Sequence, residues 1–178
     1  MRIVEFGPSS NPIYEYSERI ANKLELGTTY VGIDIKSKSF RDTSQEERGR
    51  FVLGDLRKIP LLDFVADEIW LMNVFGGDFT NSPERLSDGS LRYTLGISKY
   101  FQGMTRILKP GGTIYIGEWY PRIHKVDWIK EADYEEYGLT KEVYEGENVK
   151  AFLKEHEMSI EQIEEDIPSL FVVLTKRL

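Results

Sequence analysis

The chain has 178 residues, no cysteine and only two histidines, His124 and His156, which excludes disulfides, thiolate catalysis and cysteine-built zinc sites and leaves too few imidazoles for a histidine-built metal centre; no metal is expected. Hydrophobic residues make up 40% and aromatic ones 12%, and no apolar run reaches membrane-spanning length, so the expectation is one cytoplasmic globular domain over 1–178 that neither crosses nor anchors in a membrane. The formal net charge of −7 is uneven, because 131–166 carries 13 acidic residues against 3 Lys or Arg, an acidic face that argues against nucleic acid as a partner.

In chain order, short apolar runs predict strands at 2–6, 29–34, 50–53, 66–73, 113–118, 159–164 and 170–176. The first five are rich in Ile, Val, Phe, Tyr and Leu without clean alternation, the pattern of a parallel sheet covered by helices on both faces. Tyr16, Ile20 and Leu24, spaced by four, predict an amphipathic helix over 14–26 that ends at Gly27. A second helix is expected over 91–108, stopped by Lys109-Pro110-Gly111-Gly112, and a third over 149–157. The two last runs, 159–164 and 170–176, are joined by too few residues for a crossover and so predict an antiparallel hairpin. The fold expected is α/β: a doubly wound, mostly parallel seven-stranded sheet with that hairpin at its C-terminal end. The stretch 121–147, with Trp128, Tyr134, Tyr137 and Tyr144 amid acids, is too long for a simple connection and reads either as a lid or acceptor-binding insertion or as a packed surface helix pair.

In doubly wound sheets a ligand sits outside the carboxyl ends of the strands, where strand order reverses. The loops there read Glu5-Phe6-Gly7-Pro8-Ser9-Ser10-Asn11-Pro12, then Gly32-Ile33-Asp34-Ile35, Gly54-Asp55-Leu56 and Asn73-Val74-Phe75-Gly76. With Lys109-Pro110-Gly111-Gly112 these blocks resemble, in order and spacing, the motifs of class I S-adenosylmethionine-dependent methyltransferases, across nearly the whole chain. In the first loop the family commonly carries further glycines; here Gly7 is kept, Ser9 stands at the second glycine, and Asn11-Pro12 matches a variant ending.

The resemblance implies S-adenosylmethionine as cofactor, held by Glu5, Gly7, Ser9, Asn11, Asp34, Ile35, Asp55, Leu56 and Asn73. Asp34 would accept hydrogen bonds from the two ribose hydroxyls, and Asp55 from the adenine amino group beside the Leu56 backbone. Glu5 would lie near the methionine ammonium, and Asn73 beside the methionine portion and the transferring methyl. Bland roles stand beside these: a helix or turn cap for Asp34, an Asx turn for Asp55, a chain turn for Asn73.

Methyl transfer from a sulfonium demands alignment more than proton chemistry, so no acid-base pair is required. If a residue assists, the candidates are Asn73, Glu118 and His124. A small-molecule acceptor is expected from the acidic surface and modest size. The chain begins directly at its first strand, without helices over the acceptor side, which leaves that side open or covered by a second subunit of a homo-oligomer. Two other readings compete. A nicotinamide-dependent oxidoreductase would also use Asp34, but the first loop lacks Gly-x-Gly-x-x-Gly. A methyltransferase-like module without turnover would account for Ser9 and the missing acceptor motif.

Overall fold

Every central strand buries both of its faces. In the computed structural model, which describes residues 1–8, 13, 17–35, 50–72, 74–75, 84–85, 91–92, 95–119, 127–158 and 168–178, the first strand, β1 (Arg2–Phe6), sends Val4 and Phe6 to one side and Ile3 and Glu5 to the other. The same alternation places Val31 and Ile33 of β2 (Thr29–Asp34), and Ile69 and Leu71 of β4 (Ala66–Met72), against Phe101, Met104 and Ile107 of helix α2 (Leu95–Ile107). On the opposite face Ile3, Tyr30 and Trp70 pack with Ile20 of α1 (Glu18–Glu25) and with Val149, Phe152 and Leu153 of a later helix (Glu147–Glu155). Apolar side chains are needed in both directions, which is why the runs lack a polar half.

The main sheet has seven strands in the order β3-β2-β1-β4-β7-β9-β8, where β3 is Arg50–Leu53, β7 is Leu108–Trp119, β8 is Leu139–Glu145 and β9 is Pro168–Lys176. Strands β1 to β4 and β7 are mutually parallel, and β9 runs antiparallel to both β7 and β8. Strands β5 (Glu84–Arg85) and β6 (Leu91–Arg92) form a separate antiparallel pair. The chain therefore winds outward from β1 to β3 and returns past β1 to β4, so strand order reverses between β1 and β4. That point defines the crevice for a ligand.

Three sequence expectations need correction. The antiparallel partner of the last strand on its outer edge is β8, inside the stretch read as a lid or helix pair, and β7 lies along its other edge. Residues 159–164 themselves lie outside the described residues. The physical reason is that β8 is an edge strand: five of its seven residues are exposed, and Lys141, Glu142 and Glu145 carry charges that protect an open edge. Helix α2 starts at Leu95, because Leu91 and Arg92 belong to β6. The helix stops before the Pro-Gly-Gly run as expected, but the strand expected at 113–118 runs over Leu108–Trp119 and takes that run into β7, where the pairing with β4 shifts register between Ala66 and Glu68.

Helix α1 is capped by Ser17, whose hydroxyl accepts the Ile20 N–H at 3.3 Å while the residue is buried. Ser17→Ala is expected to lower unfolding free energy by about 1 kcal/mol in chemical denaturation, the usual effect of losing such a cap. A change below about 0.3 kcal/mol would mean that packing alone holds the helix start. Among the described residues no helix is long and apolar enough to cross a membrane.

Candidate functional site

The crevice at the reversal point is real. Phe6 and Gly7 at the end of β1, Ile33, Asp34 and Ile35 at the end of β2, Gly54 and Leu56 after β3, and Val74 after β4 line one cleft of about 40 Å³. Its walls are tied by backbone hydrogen bonds: the Gly7 N–H donates to the Ile33 carbonyl at 2.8 Å, and the Gly54 N–H to the Asp34 carbonyl at 2.9 Å. Gly7 has φ +67°, where a side chain is strained, and a β-carbon there would stand 3.3 Å from Val74 Cγ2. Glycine thus keeps the space between the β1 and β4 walls open.

Of the residues expected to hold a cofactor, the cleft gathers Gly7, Asp34, Ile35 and Leu56. Glu5 lies behind it, facing the α1 side. Buried at 2% exposure, its carboxylate accepts the Ile13 N–H at 2.9 Å and the Tyr30 hydroxyl, fastening the chain beyond the first loop to β1 and β2. Asp55 makes the Asx turn that was the alternative for it. One carboxylate oxygen accepts the Arg57 N–H at 2.8 Å, and both engage the Arg57 guanidinium in an exposed, forked ion pair. Hydrogen bonds from the Arg57 side chain hold the Asp55 carboxyl below its ordinary pKa of 3.8, with burial opposing them. A depressed carboxylate pKa stabilises the fold above the unfolded value, and that contribution is lost as pH falls through the folded one. Arg57→Ala is expected to raise the Asp55 titration midpoint toward 3.8 in a carboxyl NMR titration. An unmoved midpoint would show that the guanidinium is not its cause.

Glu118, a candidate for assisting the reaction, is fully buried at the carboxyl end of β7 and accepts the Phe75 N–H at 2.7 Å. Ser9, Asn11, Asn73 and His124 lie outside the described residues. The cleft also recruits Phe6, Ile33, Gly54 and Val74, which sequence reasoning did not assign to it. Gly54 carried a usable signal: it directly precedes Asp55, and a β-carbon on it would meet Ile33 Cγ2 at 2.9 Å, so it lets the β3 loop approach β2. The other three are ordinary apolar residues with no chemical signature.

No protein-family model matches the sequence, and no curated protein does. Solved structures do resemble the fold. The aminoglycoside resistance methyltransferase NpmB1 superposes with a TM-score of 0.62 at 18% identity, covering 98% of this chain and 86% of that one. A TehB-like SAM-dependent methyltransferase from Corynebacterium glutamicum gives 0.59 at 17% identity, over 99% and 80% of the two chains. An N-methyltransferase from Haemonchus contortus, in complex with phosphomonomethylethanolamine and S-adenosylhomocysteine, gives 0.59 at 14% identity over all of this chain and 49% of that one. With the strand order and the antiparallel β9, these likenesses show that the chain has the class I S-adenosylmethionine-dependent methyltransferase fold.

Proposed function

We propose that the protein is an S-adenosylmethionine-dependent methyltransferase that transfers a methyl group to a small-molecule acceptor. The observation that carries the proposal is the convergence of Gly7, Asp34, Ile35 and Leu56 on one cleft at the strand-order reversal between β1 and β4. Fold likeness to methyltransferases, one of them in complex with S-adenosylhomocysteine, supports the same cofactor.

The residues that line the cleft suit parts of such a group, the whole of which is larger than the roughly 40 Å³ enclosed between them. A carboxylate at the end of β2 suits a vicinal diol, since its two oxygens can each accept one hydroxyl hydrogen. Ile35, Leu56 and Val74 offer apolar walls for a planar base, and the side-chain-free Gly7 lets the ligand approach the backbone. Asp55 fits only if the adenine amino group takes over an oxygen that Arg57 now occupies. The group supplies a methyl on sulfonium, already activated for in-line displacement. This chain's part is to bind, orient and exclude water, from which most of the rate can come.

The test is calorimetric titration of the purified protein with S-adenosylmethionine, S-adenosylhomocysteine and, as control, NAD. Saturable binding of the two sulfur compounds with none of NAD is the expected result. No binding at millimolar ligand would overturn the proposal in favour of a module without turnover, and binding of NAD alone would favour the oxidoreductase.

A further inference from the structure

Glu118 has no exposed surface. A carboxylate taken out of water costs heavily unless its oxygens are satisfied, so the place it occupies must use it. One oxygen accepts the Phe75 N–H at 2.7 Å, across from β7 to the chain just beyond β4. The Phe75 ring is itself buried, packed at centroid distances of 6.3 Å from Phe101 and 6.5 Å from Tyr100. The residue before it, Val74, forms the β4 wall of the cleft. Gly117, the residue before Glu118, pairs with Met72 and so sets the end of β7 alongside the end of β4. A buried acid on β7, outside the cleft, therefore holds the backbone one residue from a cleft wall.

We infer that Glu118 is a positioning residue which holds the Val74–Phe75 turn as the fourth wall of the cofactor cleft, and that it is not a base in the transfer. The inference rests on the S-adenosylmethionine reading. A base has to exchange a proton with the acceptor, and a carboxylate with no exposed surface and an oxygen committed to a backbone N–H is built to keep still. Glutamine can accept the same N–H through its side-chain carbonyl, whereas alanine cannot. The two substitutions separate the roles.

S-adenosylhomocysteine is titrated into the wild type, Glu118→Gln and Glu118→Ala well below their melting temperatures. The positioning role predicts Gln within about twofold of the wild type and Ala weaker by about fivefold or more, as expected when a buried N–H loses its acceptor. A base would leave cofactor affinity unchanged in both variants, so equal affinity of Ala and wild type overturns the inference, as does a Gln variant as weak as Ala. Absence of binding to the wild type would overturn the cofactor reading and this inference with it. Should Glu118→Ala not fold, hydrogen exchange at the Phe75 amide of the wild type decides. Saturating S-adenosylhomocysteine is expected to slow it at least about threefold, since ligand binding stabilises the closed arrangement it contacts. Exchange indifferent to the ligand overturns the inference.

Discussion

Gly7→Val is expected to weaken S-adenosylhomocysteine binding by about tenfold or more and to lower the melting temperature by roughly 2–8 °C. The two effects have separate causes. At φ +67° a β-branched residue pays about 1–2 kcal/mol for the left-handed backbone, which for a chain of this size is a few degrees of melting temperature. The affinity loss comes from space: the new β-carbon would sit 3.3 Å from Val74 Cγ2, and its methyl groups would project into a cleft of only about 40 Å³. Gly138→Val is the matching control. Gly138 has φ +71°, closes the short turn Glu135–Tyr137 before β8, and has nothing within 4 Å of its would-be β-carbon. It should suffer the same backbone strain with unchanged ligand affinity, as read by calorimetry and thermal melting. Equal affinity losses in the two variants would mean that Gly7 acts through stability alone.

How much could be read from residues follows from how each element is buried. β1 and β2 begin and end where their apolar runs do, because a strand covered on both faces is apolar at nearly every position; β3 coincides with its run as well, although it lies at the sheet edge with Leu53 exposed. β8 obeys the opposite rule. It fully buries only Leu139 and partly covers Tyr144 against Phe152, so its sequence Leu-Thr-Lys-Glu-Val-Tyr-Glu carries little burial signal beside its run of exposed residues. The candidate site divides in the same way. Asp34 and Gly7 could be placed at the cleft from the sequence because they end or follow strands whose carboxyl ends form it. Arg57's hold on Asp55 was not, since two residues' spacing says nothing about where a guanidinium folds back. Nor could Glu5 and Glu118 be recognised as acceptors of backbone N–H groups, because nothing in the sequence pairs either acid with its donor, Ile13 or Phe75. Val74 was missed for a simpler reason: its contribution is a surface, and any apolar residue supplies one.

Asp34→Ala tests the chemistry of the cleft more directly than any steric change. Asp34 ends β2, its carbonyl accepts the Gly54 N–H at 2.9 Å, and its residue lines the cleft beside Ile35. Alanine preserves that backbone bond and removes only the carboxylate, so loss of affinity can be assigned to the side chain. Hydrogen bonds to a charged acceptor contribute roughly 1.5–3 kcal/mol, so affinity for S-adenosylhomocysteine should fall by about ten- to a hundredfold. Asp34→Asn separates charge from shape, for the amide keeps one acceptor oxygen but puts a donor where the second hydroxyl would donate, and it should be nearly as weak as alanine. A ligand pair completes the test. Adenosine, which carries the diol, should lose affinity in the variant in the same proportion, whereas 2′,3′-dideoxyadenosine should bind wild type and variant alike. Equal losses for both nucleosides would place the carboxylate away from the ribose.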